Sequence, residues 1–123
     1  MTHDELRTLP AIGPSLAADL RLLGVKSIAD LARRDPERLY ARLCDRTDEK
    51  QDPCVLYTFR CAVYASRTAL PDTELLKWWN WMERRFDDRG RVVATAKGVP
   101  AKYRRTPRRT ARGRSRRVSP RAG

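Results

Sequence analysis

Acidic side chains are almost missing from the last third of this chain. Of its 15 Asp and Glu, only Asp87 and Asp88 lie beyond residue 86, against 13 Lys and Arg there. Residues 1–86 hold the remaining 14 basic and 13 acidic groups and are close to neutral. The net charge of +12 therefore belongs to the C-terminal segment, and a basic run of this kind suits a polyanion. Histidine is scarcer still. The single one, His3, stands at a terminus that frays, so no Ser–His–Asp or Cys–His arrangement has a firmly held imidazole. Asp48, Glu49 and Asp52 cluster, but a solvated acidic loop accounts for them. No enzyme activity is expected. No apolar run approaches the ~20 residues that span a bilayer, and Met1 to Arg7 is too polar for a secretory leader. The expected setting is the cytoplasm, with no membrane partner.

Paired metal-ligand spacings are missing too. The three cysteines, Cys44, Cys54 and Cys61, include no CxxC, whereas zinc takes four ligands, commonly from closely spaced pairs. Cys54 and Cys61 are seven apart and share a helix face. Buried thiols acting as small hydrophobes account for them better than a metal site. No GxxxxGK phosphate loop and no strand alternation are present.

What the chain does have is helix punctuation. Thr2 caps a short first helix ending near Thr8, and Pro10 and Gly13 stop it. Leu16, Ala17, Leu20 and Leu23 recur at helical spacing from Pro14 or Ser15 onward, and Gly24 is placed as a left-handed C-cap. Ser27 with Asp30 resembles a capping box opening a third helix. Asp35-Pro36 and Asp52-Pro53 are caps followed by proline at the first helical position. The helix from Pro53 to Arg67 is apolar nearly all round, with Arg60 its main interruption, which marks the centre of a bundle. Asp72 opens a sixth helix through Phe86. Residues 87–123 are rich in Gly, Pro, Ser, Thr and Arg and poor in large apolar groups, so they are expected to be a disordered Arg-rich tail. The predicted fold is all-α: a compact bundle of about six short helices over 1–86, followed by that tail.

The stretch "LPAIGPSLAADLRLLG" packs turn residues directly against a helix start. Such a start has amides without intrahelical partners and a partial positive charge, so it receives anions without a basic side chain. Gly13 lacks a Cβ that would obstruct a phosphate oxygen. The spacing L-P-x-I-G-x-x-x-A-x-x-L, at Leu9, Pro10, Ile12, Gly13, Ala17 and Leu20, resembles the helix-hairpin-helix motif, here within residues 2–24, and implies a SAM-like N-terminal half. Together with "QDPCVLYTFRCAVY" and "LLKWWNW", the stretch from Pro10 to Cys44 resembles small bacterial helix-hairpin-helix proteins known as pathogenicity-locus or mitomycin-resistance proteins. The resemblance covers roughly residues 5–82. Ala11 stands where the family usually has a further glycine, and Pro14 where it tends to have a basic residue.

The resemblance implies a DNA-linked role. Backbone groups of Ala11, Ile12, Gly13, Ser15 and Leu16 would meet phosphate, with Ile12 a packing plug and Arg21 and Lys26 nearby. By resemblance, hairpin carbonyls hold a monovalent cation; no other cofactor is implied. Phosphate contact carries no base sequence, so sequence-independent DNA binding, nucleoid-associated, is the expected function. In the tail, Arg104, Arg105, Arg108, Arg109, Arg112, Arg114, Arg116 and Arg117 would follow the phosphate backbone. The alternative is a protein-interaction module anchored by Trp78, Trp79 and Trp81, an adaptor in DNA repair or drug resistance. The plainer readings are a compact helix connection, a solubilising tail, and tryptophans that close the bundle.

Overall fold

Proline opens three of the four α-helices in the computed structural model, which describes residues 5–103. The helices are α1 (Pro14–Leu22), α2 (Ile28–Leu31), α3 (Pro36–Thr47) and α4 (Pro53–Arg67). Their starts follow the predicted caps. Ser27 Oγ accepts from the Asp30 amide at 3.0 Å, Asp35 Oδ1 from the Glu37 amide at 3.0 Å, and Asp52 Oδ1 from the Cys54 amide at 2.8 Å. Asp30 reaches back to the amide of Lys26, one residue before the cap, at 3.0 Å. Gly24 ends α1 at φ 89°. Its amide donates to Arg21 O and the Val25 amide to Leu20 O, both at 3.0 Å, the paired bonds of a Schellman cap. Glu5–Thr8 is a 3₁₀ turn where the first helix was expected; Thr2 and His3 lie outside the described residues.

Helix α4 is the spine, packed against α2, α3 and the turns that follow it. Leu56, Phe59, Cys61, Ala62 and Val63 on α4 are fully buried, as are Leu6, Leu20, Leu31 and Leu43 around it. Arg60 is also 0% exposed. Its Nε donates to Glu37 Oε2 at 2.9 Å, its Nη2 to the same oxygen, and its Nη1 to Trp81 O at 2.9 Å. A buried charge needs this compensation. The residue that interrupts the apolar helix therefore ties α4 to α3 and to the Trp81 backbone.

The expected sixth helix does not form. Residues 73–81 make two 3₁₀ turns, Thr73–Leu76 and Trp78–Trp81, separated by Lys77 in an extended conformation. Side chains take the carbonyls that a continuing helix would use: Trp81 Nε1 donates to Leu75 O at 2.8 Å and Asn80 Nδ2 to Glu74 O at 2.6 Å. Trp81 is thereby drawn into the core, 5.5 Å from the Tyr64 ring and 5.1 Å from Phe86.

A further difference follows. The fold is mainly helical, but β1 (Arg84–Phe86) and β2 (Val92–Ala94) form an antiparallel ribbon, with Arg84 opposite Ala94, Arg85 opposite Val93 and Phe86 opposite Val92. Asp87 Oδ1 accepts from the Arg89 and Arg91 amides at 2.9 and 2.8 Å, and Gly90 at φ 78° completes the turn. The chain then returns to the body. The Gly98 amide donates to the Tyr57 hydroxyl at 2.9 Å, Val99 is buried, and Ala101–Tyr103 forms a last 3₁₀ turn. Residues 87–103, expected in the tail, thus belong to the fold. Residues 104–123, with every tail arginine named above from Arg104 to Arg117, lie outside the described residues.

Candidate nucleic-acid interface

The start of α1 differs from the other three α-helix starts. At α2, besides the Ser27 cap, Glu5 Oε1 accepts from the Ile28 amide at 2.7 Å. At α3 and α4 the N-cap aspartate accepts from the amide two residues on, that of Glu37 and that of Cys54. At α1 the N-cap is Gly13, which supplies no side-chain acceptor, and Pro14 has no amide hydrogen. The Gly13 carbonyl accepts from the Ala17 amide at 3.0 Å, closing the first turn. The amides of Gly13, Ser15 and Leu16 donate to no acceptor among the described residues. Gly13, Pro14 and Ser15 are exposed, so these donors face an accessible surface at the positive end of the helix dipole.

Two residues before the helix set this geometry. Ile12 is 4% exposed and its amide donates to Leu9 O at 3.2 Å, so its side chain anchors the loop in the core. Ala11 reverses the chain at φ 64°, a left-handed conformation unusual for alanine. Gly13 itself is extended, at φ −91° and ψ −172°, and a Cβ built there meets nothing within 4 Å. Its backbone suits any residue, and the space in front of it is open.

The expected basic neighbours stand elsewhere. Arg21 lies at the opposite end of α1, about 9 Å along the axis from Ser15 at ~1.5 Å per residue, and its guanidinium is folded onto the Lys26 carbonyl. Lys26 follows the C-cap of α1, and its amide donates to Asp30 Oδ2 at 3.0 Å. The tryptophans also separate. Trp81 is in the core, which removes it from any partner surface; Trp78 is half-buried, edge-on to Trp79 at 5.9 Å; and Trp79 is 49% exposed.

The thiols share no site. Cys44 and Cys61 are buried and Cys54 is exposed. Cys61 donates to Leu75 O at 3.5 Å, and burial pushes its pKa up to about 11. Cys44 Sγ accepts from the Gln51 amide at 3.4 Å. Among the described residues, no group of three or more His, Cys, Asp or Glu side chains is arranged to hold a metal ion. No helix among them is long and apolar enough to cross a membrane.

Sequence reasoning placed the start of the positive charge too late. Residues 84–103 hold six basic and two acidic side chains, so the excess begins on β1, inside the fold. The signal was present: Asp87 and Gly90 are three apart, the first and last positions of a type I turn.

A family model described as "Pathogenicity locus" (Cdd1) matches residues 1–86. The chain belongs to this family. Among the family-like relatives, the mitomycin resistance protein McrB of Streptomyces lavendulae is 35% identical over 81 residues, which is 66% of this chain and 73% of that protein. No solved structure matches the chain. The residues that match the pathogenicity-locus family include the open start of α1 and the tryptophan turns; β2 and the final turn lie beyond them.

Proposed function

We propose that the protein is a non-enzymatic, sequence-independent DNA-binding protein. A backbone phosphate docks on the amides of Gly13, Ser15 and Leu16, and the Arg-rich segment 104–123 adds long-range attraction. The observation that carries this reading is the contrast between α1 and the other α-helices: its leading amides have no acceptor, while α2, α3 and α4 each have one. The resemblance of the Leu9–Leu20 spacing to a helix-hairpin-helix supports it, with Glu5–Thr8 as the first arm and α1 as the second. The carbonyls of the Leu9–Ile12 loop are the groups that would hold a monovalent cation bridging to phosphate. The protein would work in the cytoplasm, on the nucleoid.

Binding measured over a salt series on duplex, single-stranded and branched DNA tests this. The full-length chain engages six to ten phosphates, so affinity falls roughly 10³–10⁵-fold between about 50 and 200 mM salt. Deleting residues 104–123 weakens binding and flattens that slope. A deletion variant with the parent's affinity and slope removes the segment from the mechanism.

A second reading has one observation in its favour, the 49% exposure of Trp79. As a docking point it would make the protein an adaptor, in DNA repair or in resistance of the kind named for the Streptomyces relative. Absence of DNA binding at low salt, with a complex lost in Trp79→Ala, would favour it.

A further inference from the structure

Glu37 is only 7% exposed, yet half of its carboxylate is unused. Arg60 commits both Nε and Nη2 to Oε2. Oε1 accepts no hydrogen bond among the described residues, an uncommon state for a buried polar atom. Glu37 also lines a groove of about 720 Å³ formed by the start of α3, β1 and the Ala101–Tyr103 turn, a volume typical of small-ligand sites. The rings of Phe86 and Tyr103 line the same groove, with Arg38, Arg85 and Lys102.

Three further carboxylates border it, and two are already engaged. Asp35 caps α3 through the Glu37 amide. Asp87 accepts from the Arg89 and Arg91 amides and from Arg91 Nε at 3.0 Å. Asp88 is exposed. Arg38 is exposed and makes no ion pair among the described residues. The groove therefore combines an unsatisfied acceptor, two aromatic rings and cations at its rim.

We propose that this groove binds one unpaired nucleotide. The base stacks on Tyr103, displacing the Lys102 ammonium that lies 5.5 Å from that ring's centroid toward the phosphate beside Arg38. An N–H of the base donates to Glu37 Oε1. Phe86, already faced by the Arg67 guanidinium at 4.6 Å and by Trp81 at 5.1 Å, walls the groove. A lone cation would face the rim guanidinium and ammonium groups, and a free phosphate would leave Oε1 and the rings unused. Every one of the four bases offers an N–H donor on its Watson–Crick edge: the amino group in adenine and cytosine, N1–H and the amino group in guanine, and N3–H in thymine. Inorganic phosphate offers neither a ring face nor such an N–H. The choice of ligand rests on the nucleic-acid reading above; the groove itself is separate from the start of α1.

The test is calorimetric titration of the full-length chain with dAMP, dCMP, dGMP, dTMP and inorganic phosphate. Any contact to residues 104–123 is common to all five and cancels in the comparison. The four nucleotides should each bind at least about tenfold more tightly than inorganic phosphate. Tyr103→Leu, which keeps apolar packing but removes the ring face, should weaken them by roughly tenfold with the thermal midpoint unmoved. Equal binding of all five ligands, no binding, or an unaffected Tyr103→Leu variant overturns the proposal. Gly13→Asp should leave these titrations unchanged. Duplex binding without nucleotide binding would sink the groove alone, and nucleotide binding with duplex affinity insensitive to Gly13→Asp would sink the α1 reading alone.

Discussion

Ala11 holds φ at 64° without the freedom of glycine, a conformation that costs an L-residue roughly 1–2 kcal/mol. Ala11→Gly removes that strain and should raise stability by about 1 kcal/mol, seen as a thermal midpoint several degrees higher. A lower midpoint would mean that the alanine methyl makes a contact worth more than the strain. Arg60 and Glu37 present the opposite case. Both are buried and each compensates the other, so Glu37→Ala leaves an uncompensated guanidinium and should cost about 3–5 kcal/mol in denaturant unfolding. The double replacement Glu37→Leu with Arg60→Leu should recover most of that loss. Only Arg60 stood out in the sequence, as a charge in an apolar helix. Its partner lies on another helix and carried no local mark.

At the scale of elements, helix starts were legible and the end of the helical run was not. Asp35-Pro36, Asp52-Pro53 and Ser27 with Asp30 act within one turn, so a short stretch of sequence contains the whole interaction. The Trp81 indole instead reaches back to Leu75 and into the core, and that tertiary contact overrides the helical periodicity of residues 72–86. Strands of three residues are too short to show alternation. The carboxylates of these elements set a pH response. The Arg34 guanidinium holds the Asp30 pKa below its ordinary value, the Cys54 amide does the same for Asp52, and the Arg91 amide for Asp87. Each folded pKa is depressed, so the stability it contributes is complete above the unfolded value near ~4 and is lost as pH falls through the folded value. The thermal midpoint should therefore drop as pH is lowered from about 5 toward 3. A midpoint constant over that range would show that these bonds add no net stability.

Across the whole molecule, charge and structure are offset. Residues 1–83 hold 12 basic and 13 acidic side chains; residues 84–103 hold six and two; residues 104–123 hold nine and none. The near-neutral body carries the open start of α1, and the ribbon marks where the basic character begins, within the fold. On the proposed DNA-binding reading, removing residues 104–123 should remove most of the salt dependence and leave a weaker, flatter affinity that depends on α1. The groove between α3, β1 and the final turn was not legible in advance, because Glu37, Phe86 and Tyr103 are brought together only by the ribbon's return. The most direct test is duplex affinity of the full-length Gly13→Asp variant at about 200 mM salt, where surface charges more than ~10 Å apart are screened. The backbone at Gly13 already suits an N-cap, and the space in front of it is empty. The new carboxylate should therefore cap the Ser15 or Leu16 amide, hold or raise the thermal midpoint, and weaken duplex binding at least about tenfold by occupying the place proposed for the phosphate. A stable Gly13→Asp protein that binds duplex DNA as tightly as the parent would contradict the account.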